Sequence, residues 1–214
     1  MGRAPRADAC RNRDRLLEAA SEAFARDGVD ASLEKIAKAA GVGIGTLYRH
    51  FPNKDVLMEA VYRHNLDQML ADADELLATK PAAEALAEWM QRFVAYVATK
   101  KGLAMHLKTV VSADSDLFTS SQERMGDTMR RMVEAGVAEG EIRPDVDPTD
   151  VLRALAGVCM TSDMTQSQEQ PCRIAQLLMD GLRYGAASAS RGPTRPGIRR
   201  DPTPRLDPVR CTPG

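Results

Sequence analysis

Apolar positions recur at helical spacing along most of the chain, and short polar breaks bearing Gly or Pro separate the periodic runs. Leu16, Leu17, Ala20, Ala23 and Phe24 form a stripe that predicts a first helix over about 13–27, closed by Gly28. Leu33, Ile36, Ala37 and Ala40 predict a second, with Ser32 as its N-cap and Gly41 as its stop. A third, barely two turns long, starts near Ile44 and runs to about His50, where Pro52 halts it. Asn53 caps a fourth over about 54–77, with Val56, Leu57, Ala60 and Val61 inward. Pro81 opens a fifth over 82–100, and Gly102 separates it from a sixth over 103–112. A seventh covers 117–139, an eighth runs from Pro148 to about Met164, and a ninth covers 172–185. The expected fold class is all-α, with about nine helices.

The third predicted helix is the odd one. Only Leu47 and Phe51 clearly face inward, while Gly43, Ile44, Gly45, Thr46, Tyr48 and His50 lie opposite. Each glycine there costs about 1 kcal/mol relative to alanine. A backbone that must approach another surface closely would offset that cost. The second and third helices therefore read either as a plain αα-hairpin with tight packing or as a helix-turn-helix whose second helix enters a major groove.

The run GVGIGTLYRHFPNKDVL, from Gly41 to Leu57, closely resembles the signature of the TetR (tetracycline repressor) family of bacterial regulators. The resemblance spans about Arg13 to Val61, with Thr46, Leu47, Tyr48, His50, Phe51, Pro52 and Lys54 all in order. It implies an all-helical homodimer with an N-terminal three-helix helix-turn-helix DNA-binding domain. It also implies a divergent C-terminal helical domain that dimerises and often binds a small molecule. On this basis residues 1–11 are a flexible basic arm and 12–54 the DNA-binding domain. Residues 55–186 are the effector-binding and dimerisation domain, and 187–214 a Pro/Arg-rich tail with little to bury, hence disordered. Weak nonspecific DNA affinity is the other reading of that tail.

Charge agrees with a chain that offers one end to a polyanion. Residues 1–54 hold 10 Lys/Arg and 7 Asp/Glu, residues 55–186 hold 13 and 21, and residues 187–214 hold 6 and 2. No run of eighteen apolar residues appears, so no membrane span is expected. The arginine-bearing N-terminus lacks the apolar core of a secretory signal, and a cytoplasmic location follows. The four cysteines (Cys10, Cys159, Cys172, Cys211) form no C-x-x-C pair. Cys159 reads as a small buried hydrophobe or, alternatively, a redox sensor. His50, His64 and His106 show no metal-ligand spacing, and no cofactor is expected. No catalytic constellation or Gly-rich phosphate loop is visible, so the chain is not expected to be an enzyme.

Carried over residue by residue, the resemblance places Thr46, Tyr48, His50 and Lys54 on phosphates, with Ser32 beside them. Gly43, Ile44 and Gly45 lie nearest the base edges. Arg49 is either a guanine contact or a solvated side chain, and Arg13 reaches a phosphate or the minor groove. Leu152, Leu155, Ala156 and Cys159, with Ile174, Leu177, Leu178, Gly181 and Leu182, are the candidate dimer seam; burial within one chain is the plain alternative. Trp89, Met90, Phe93, Met105, Met125 and Met129 are candidate walls of a ligand cavity, or simply core. His106 is either the polar group that orients a ligand or a surface or core residue. The expected function is a homodimeric, sequence-specific regulator of near-palindromic duplex DNA, a repressor released by an unknown small-molecule effector. A DNA-binding regulator or activator without such a ligand is the second reading.

Overall fold

The computed structural model describes residues 5–110, 116–161 and 169–184. Within them lie eight α-helices and one 3-10 turn, and no strand. They are α1 (Pro5–Asp27), α2 (Leu33–Ala39), α3 (Ile44–His50), α4 (Lys54–Thr79), α5 (Ala82–Val110), α6 (Leu117–Ala138), α7 (Pro148–Thr161) and α8 (Glu169–Arg183), with the 3-10 turn at Gly28–Asp30. The all-α expectation holds. The break expected at Gly102 does not occur: the fifth and sixth predicted helices are one, α5. Leu103 and Leu107 bury just beyond Gly102, and that burial outweighs the roughly 1 kcal/mol that one helical glycine costs. Residues 5–11, expected as part of a flexible arm, form the opening turns of α1. The expected disordered tail, 187–214, lies outside the described residues.

The expected caps are in place. The Ser32 hydroxyl accepts from the Lys35 N–H at 3.3 Å, and Asn53 Oδ1 accepts from the Val56 N–H at 2.9 Å. Asp147 Oδ1 accepts from the Thr149 N–H at 2.8 Å, just before α7. Gly41 has φ +68°, the left-handed conformation in which glycine pays no steric penalty. Around it Val42 N–H bonds to Ala37 C=O (3.0 Å) and Gly41 N–H to Lys38 C=O (3.1 Å). That is the Schellman pairing, which satisfies the last carbonyls of α2 and swings the chain into α3.

Two buried clusters divide the molecule, and the division falls inside helices. One holds Leu16, Leu17, Ala20 and Phe24 of α1, Ile36 of α2, Leu47 of α3, Phe51, and Leu57, Met58 and Val61 of α4. Leu103 and Leu107 of α5 and Leu117 of α6 belong to it too. The other begins at Leu66 of α4 and takes in Trp89, Met90, Met129, Leu155 and Met179. Trp89 is wholly buried and donates its indole N–H to the Met69 carbonyl at 3.0 Å. Both α4 and α5 therefore run through both cores. Exposed ion pairs Arg124–Asp67 and Arg131–Asp74, each 2.6 Å, fix α6 against α4. Such pairs set register more than they add stability.

Candidate nucleic-acid interface and cavity

Helix α3 is held from below by a single fully buried residue, Leu47, and by Phe51 just after it. Seven residues cannot form a stable helix alone, so this anchor and the packing of α2 hold it in place. What it shows outward is the set expected from the sequence. Gly43, Ile44 and Gly45 are exposed, as are Tyr48 and Arg49, while Thr46 and His50 are half-buried at its flanks. Ile44 and Tyr48, at 37% and 46% exposure, are large apolar-bodied groups left in water on a two-turn helix. Neither Gly43 nor Gly45 has an atom within 4 Å of where a Cβ would stand, so nothing inside the chain requires glycine there.

Around α3 the other expected residues take distinct positions. Lys54 stands at the first position of α4, beside unpaired N–H groups whose partial positive charge favours a phosphate. The Arg13 guanidinium lies 5.6 Å from the Phe51 ring centroid, which brings α1 to the end of α3. The Ser32 hydroxyl is already engaged: besides accepting from Lys35 it donates to Glu34 Oε2 at 2.8 Å. That bond holds the Glu34 carboxyl below its usual range. A phosphate would have to displace Glu34 to reach Ser32. Arg15, absent from the sequence expectation, is a further cation at this end, its Nη1 lying 3.7 Å from a Cβ built on Gly41.

A cavity of ≈ 430 Å³ opens between α4, α5, α6 and α7. Its apolar walls are Leu66, Phe93, Met125, Leu152 and Ala156; its polar ones are Tyr62, Tyr96, Ser121, Gln122, Thr149 and Arg153. Burial pushes the Tyr62 phenol up, opposed by a bond with Ser121, and burial raises Tyr96 further. Both phenols are therefore neutral near pH 7. Phe93 and Met125 are where the sequence reading put them. Trp89, Met90 and Met129 are not: each is sealed in the core, because the cavity faces the adjacent side of their helices. Met105 is 54% exposed and lines a separate, smaller cavity. His106 lines neither; its Nε2 lies 3.1 Å from Asp55 Oδ1 and ties the end of α5 to the first turn of α4. The polar walls were missed because they come from four helices, one each from α4 and α5 and two each from α6 and α7, so no single run of sequence groups them.

The candidate dimer residues divide by face. Leu155 and Cys159 are fully buried and Leu182 is 7% exposed, all three within the chain's own core, so their side chains are corrected to intramolecular packing. The plain reading of Cys159 as a buried hydrophobe fits its place. Leu177 is 69% exposed, Gly181 is exposed, and Leu152, Ala156, Ile174 and Leu178 are half-buried. Met160 and Tyr184 add exposed bulk that the sequence reading did not include.

Comparison with known proteins bears on both ends. Residues 16–61 match the family model for bacterial regulatory proteins of the tetR family. Residues 81–184 match that for the C-terminal domain of SbtR-like transcriptional regulators. The HTH-type transcriptional repressor KstR2 of Mycolicibacterium smegmatis is 32% identical over 154 residues, covering 66% of this chain and 72% of that protein. The TetR transcriptional regulator SCO0520 from Streptomyces coelicolor superposes with a TM-score of 0.73 at 42% identity, over 80% of this chain and 98% of that one. A TetR transcription regulatory protein from Mycobacterium vanbaalenii gives 0.70 at 32% identity, over 83% and 98%.

Proposed function

The chain belongs to the TetR family of DNA-binding transcriptional regulators, and from that we propose that it is a homodimeric repressor whose hold on a near-palindromic operator is released by a small molecule in the α4–α7 cavity. Its relative KstR2 is a repressor by name. One observation supports the coupling most: Tyr62 links the cavity to the core beneath α3. Its phenol lines the cavity, and its ring packs against the cluster that seats α3, edge-on to Phe118 with centroids 5.5 Å apart.

A single two-turn reader offers few base-specific donors. Arg49 is the one long fork on α3, and a good bidentate guanine contact discriminates by about 1–3 kcal/mol. Two copies related by a twofold axis, spaced about one helical turn of DNA apart, supply the remaining affinity. The outward stripe of Ile174, Leu177 and Gly181 on α8, with Tyr184 just after it and Ala154, Gly157 and Met160 on α7, is the surface that a second copy would cover. A ligand that fits only when Tyr62 moves then shifts α4, and with it the distance between the two α3 helices. DNA and ligand oppose one another reciprocally, with a coupling of typically ~1–3 kcal/mol.

The test is anisotropy titration of the intergenic DNA beside the gene against random duplex, at several salt concentrations. A preference for that DNA supports operator recognition, and its absence at every salt concentration refutes it.

A further inference from the structure

The ≈ 430 Å³ cavity and a smaller one of ≈ 160 Å³ share two walls, Tyr62 and Tyr96. The smaller is otherwise lined by Val97, Ala104, Met105, Met160 and Lys108. Among the described residues no carboxylate lines either, although residues 55–186 carry 21 Asp/Glu against 13 Lys/Arg. Among the described residues the one charged group that lines the larger cavity is Arg153, an exposed side chain. It makes no ion pair within 4 Å among the described residues. Asp147 feels its charge only weakly, the Thr149 N–H being the main cause of that carboxyl's lowered value. Lys108, in the smaller cavity, is exposed like Arg153, but it lies over the Phe118 ring at 5.7 Å.

Resting on the effector reading above, we propose that the two cavities are chambers of one site, and that its ligand is an elongated apolar molecule ending in a carboxylate. The carboxylate meets Arg153, whose planar fork matches it with two parallel N–H bonds. The apolar body lies on Phe93, Met125 and Leu152. The far end passes between the two phenols into the smaller chamber, against Val97 and Met105. Arg153 is exposed, so a carboxylate that reaches it exchanges water for two charge-assisted N–H bonds, and among the described wall residues no acid competes for it. Because Tyr62 stands at the partition, a molecule long enough to cross it must move the residue that also packs on the α3 core.

Titration calorimetry of the full chain with dodecanoate and with dodecan-1-ol tests the class. The acid binds one per chain, and the alcohol binds about tenfold more weakly or less. Arg153→Gln abolishes that preference while leaving the alcohol within about twofold, and Lys108→Gln keeps the preference. Equal binding of the two probes by the native chain, binding of neither, or a preference that survives Arg153→Gln overturns the proposal. Gly126→Phe tests the place: a Cβ at Gly126 meets no atom within 4 Å, so the ring enters the larger cavity without a backbone clash. Loss of glycine from a helix interior also favours folding. A folded Gly126→Phe that still binds dodecanoate as the native chain does overturns the site. Operator release separates the two readings. Dodecanoate bound through Arg153 without any change in operator affinity refutes the effector reading and supports the ligand class. A neutral molecule that releases the operator, and is blocked by Gly126→Phe, supports the effector reading and overturns the class.

Discussion

Replacing Lys54 with Gln asks whether the start of α4 sits on a phosphate, and how many copies of it do. Lys54 opens α4, with Asn53 capping the helix behind it, and it makes no ion pair within 4 Å among the described residues. Its charge is therefore free for a polyanion. Neighbouring Asp55 is turned to His106 at 3.1 Å. Glutamine has nearly the helix propensity of lysine, so the helix start survives the change. Each phosphate neutralised adds about 0.9 to the slope of log K against log salt on B-DNA. In a dimer the substitution removes two such contacts and flattens the slope by about 1.8; in a monomer, by about 0.9. Between about 50 and 200 mM salt, native affinity should then fall about 12-fold further than that of the variant for a dimer, and about 3.5-fold further for a monomer. Fluorescence anisotropy on one operator-sized duplex at four salt concentrations reads the difference, with thermal melts to show that both proteins are folded. Parallel slopes would mean that α4 does not touch the backbone, and the placement of α3 in a groove would go with it.

Three further substitutions probe separate parts of the argument. Leu47→Ala removes the one buried side chain of α3 and should cost about 2–5 kcal/mol of stability, read by denaturant melts, with DNA binding lost before the body unfolds. Gly181→Leu adds bulk where a Cβ meets nothing within 4 Å, so the single chain keeps its fold; sedimentation velocity should show monomers, and an unchanged dimer would move the seam off α8. Asp147 is held below its ordinary value chiefly by the Thr149 N–H, so its contribution is present at neutral pH and is lost as pH falls through its lowered value. Asp147→Ala should therefore be less stable than the native chain near pH 7, with the gap narrowing below about pH 3.9, and a gap independent of pH would show that the carboxylate charge contributes nothing.

What the sequence could reveal was whatever depends on neighbours along the chain. Ser32, Asn53 and Asp147 act on groups two or three residues away, and Gly41 needs only its own backbone, so caps and turn were legible. The exposed face of α3 was legible because so short a helix leaves few inward positions. The break at Gly102 was misplaced because the force holding α5 straight lies far off in sequence: Leu103 and Leu107 pack into a cluster with Leu16, Phe24 and Leu117. The cavity was half legible for a similar reason. Helical spacing shows that Trp89, Met90 and Phe93 point inward, but not that Phe93 faces a void while Trp89 meets the Met69 carbonyl. On α8, Leu177 and Leu182 belong to opposite faces, and apolar character alone does not say which face is covered by its own chain.

The split of the two cores inside α4 explains why a cavity residue can influence a distant surface at all. Leu57, Met58 and Val61 lie in one cluster and Leu66, Met69 and Ala73 in the other, on one unbroken helix. A helix of that kind cannot let one core shift alone, since packed cores change between discrete arrangements rather than deform smoothly. Tyr62 sits at the boundary, eight residues from Lys54, or about 12 Å along the axis at 1.5 Å per residue. A tilt of about 5° there moves the start of α4 by about 1 Å, enough to spoil a phosphate contact that tolerates only a few tenths. The Arg124–Asp67 and Arg131–Asp74 pairs lie on the far side of that pivot and hold the lower part of α4 to α6. Loosening them should let the pivot absorb the ligand's push. The double variant Arg124→Ala, Arg131→Ala is thus expected to bind both operator and ligand while losing part of the coupling between them. Coupling unchanged in that variant, measured as the ratio of operator affinities with and without ligand, would place the lever outside α4.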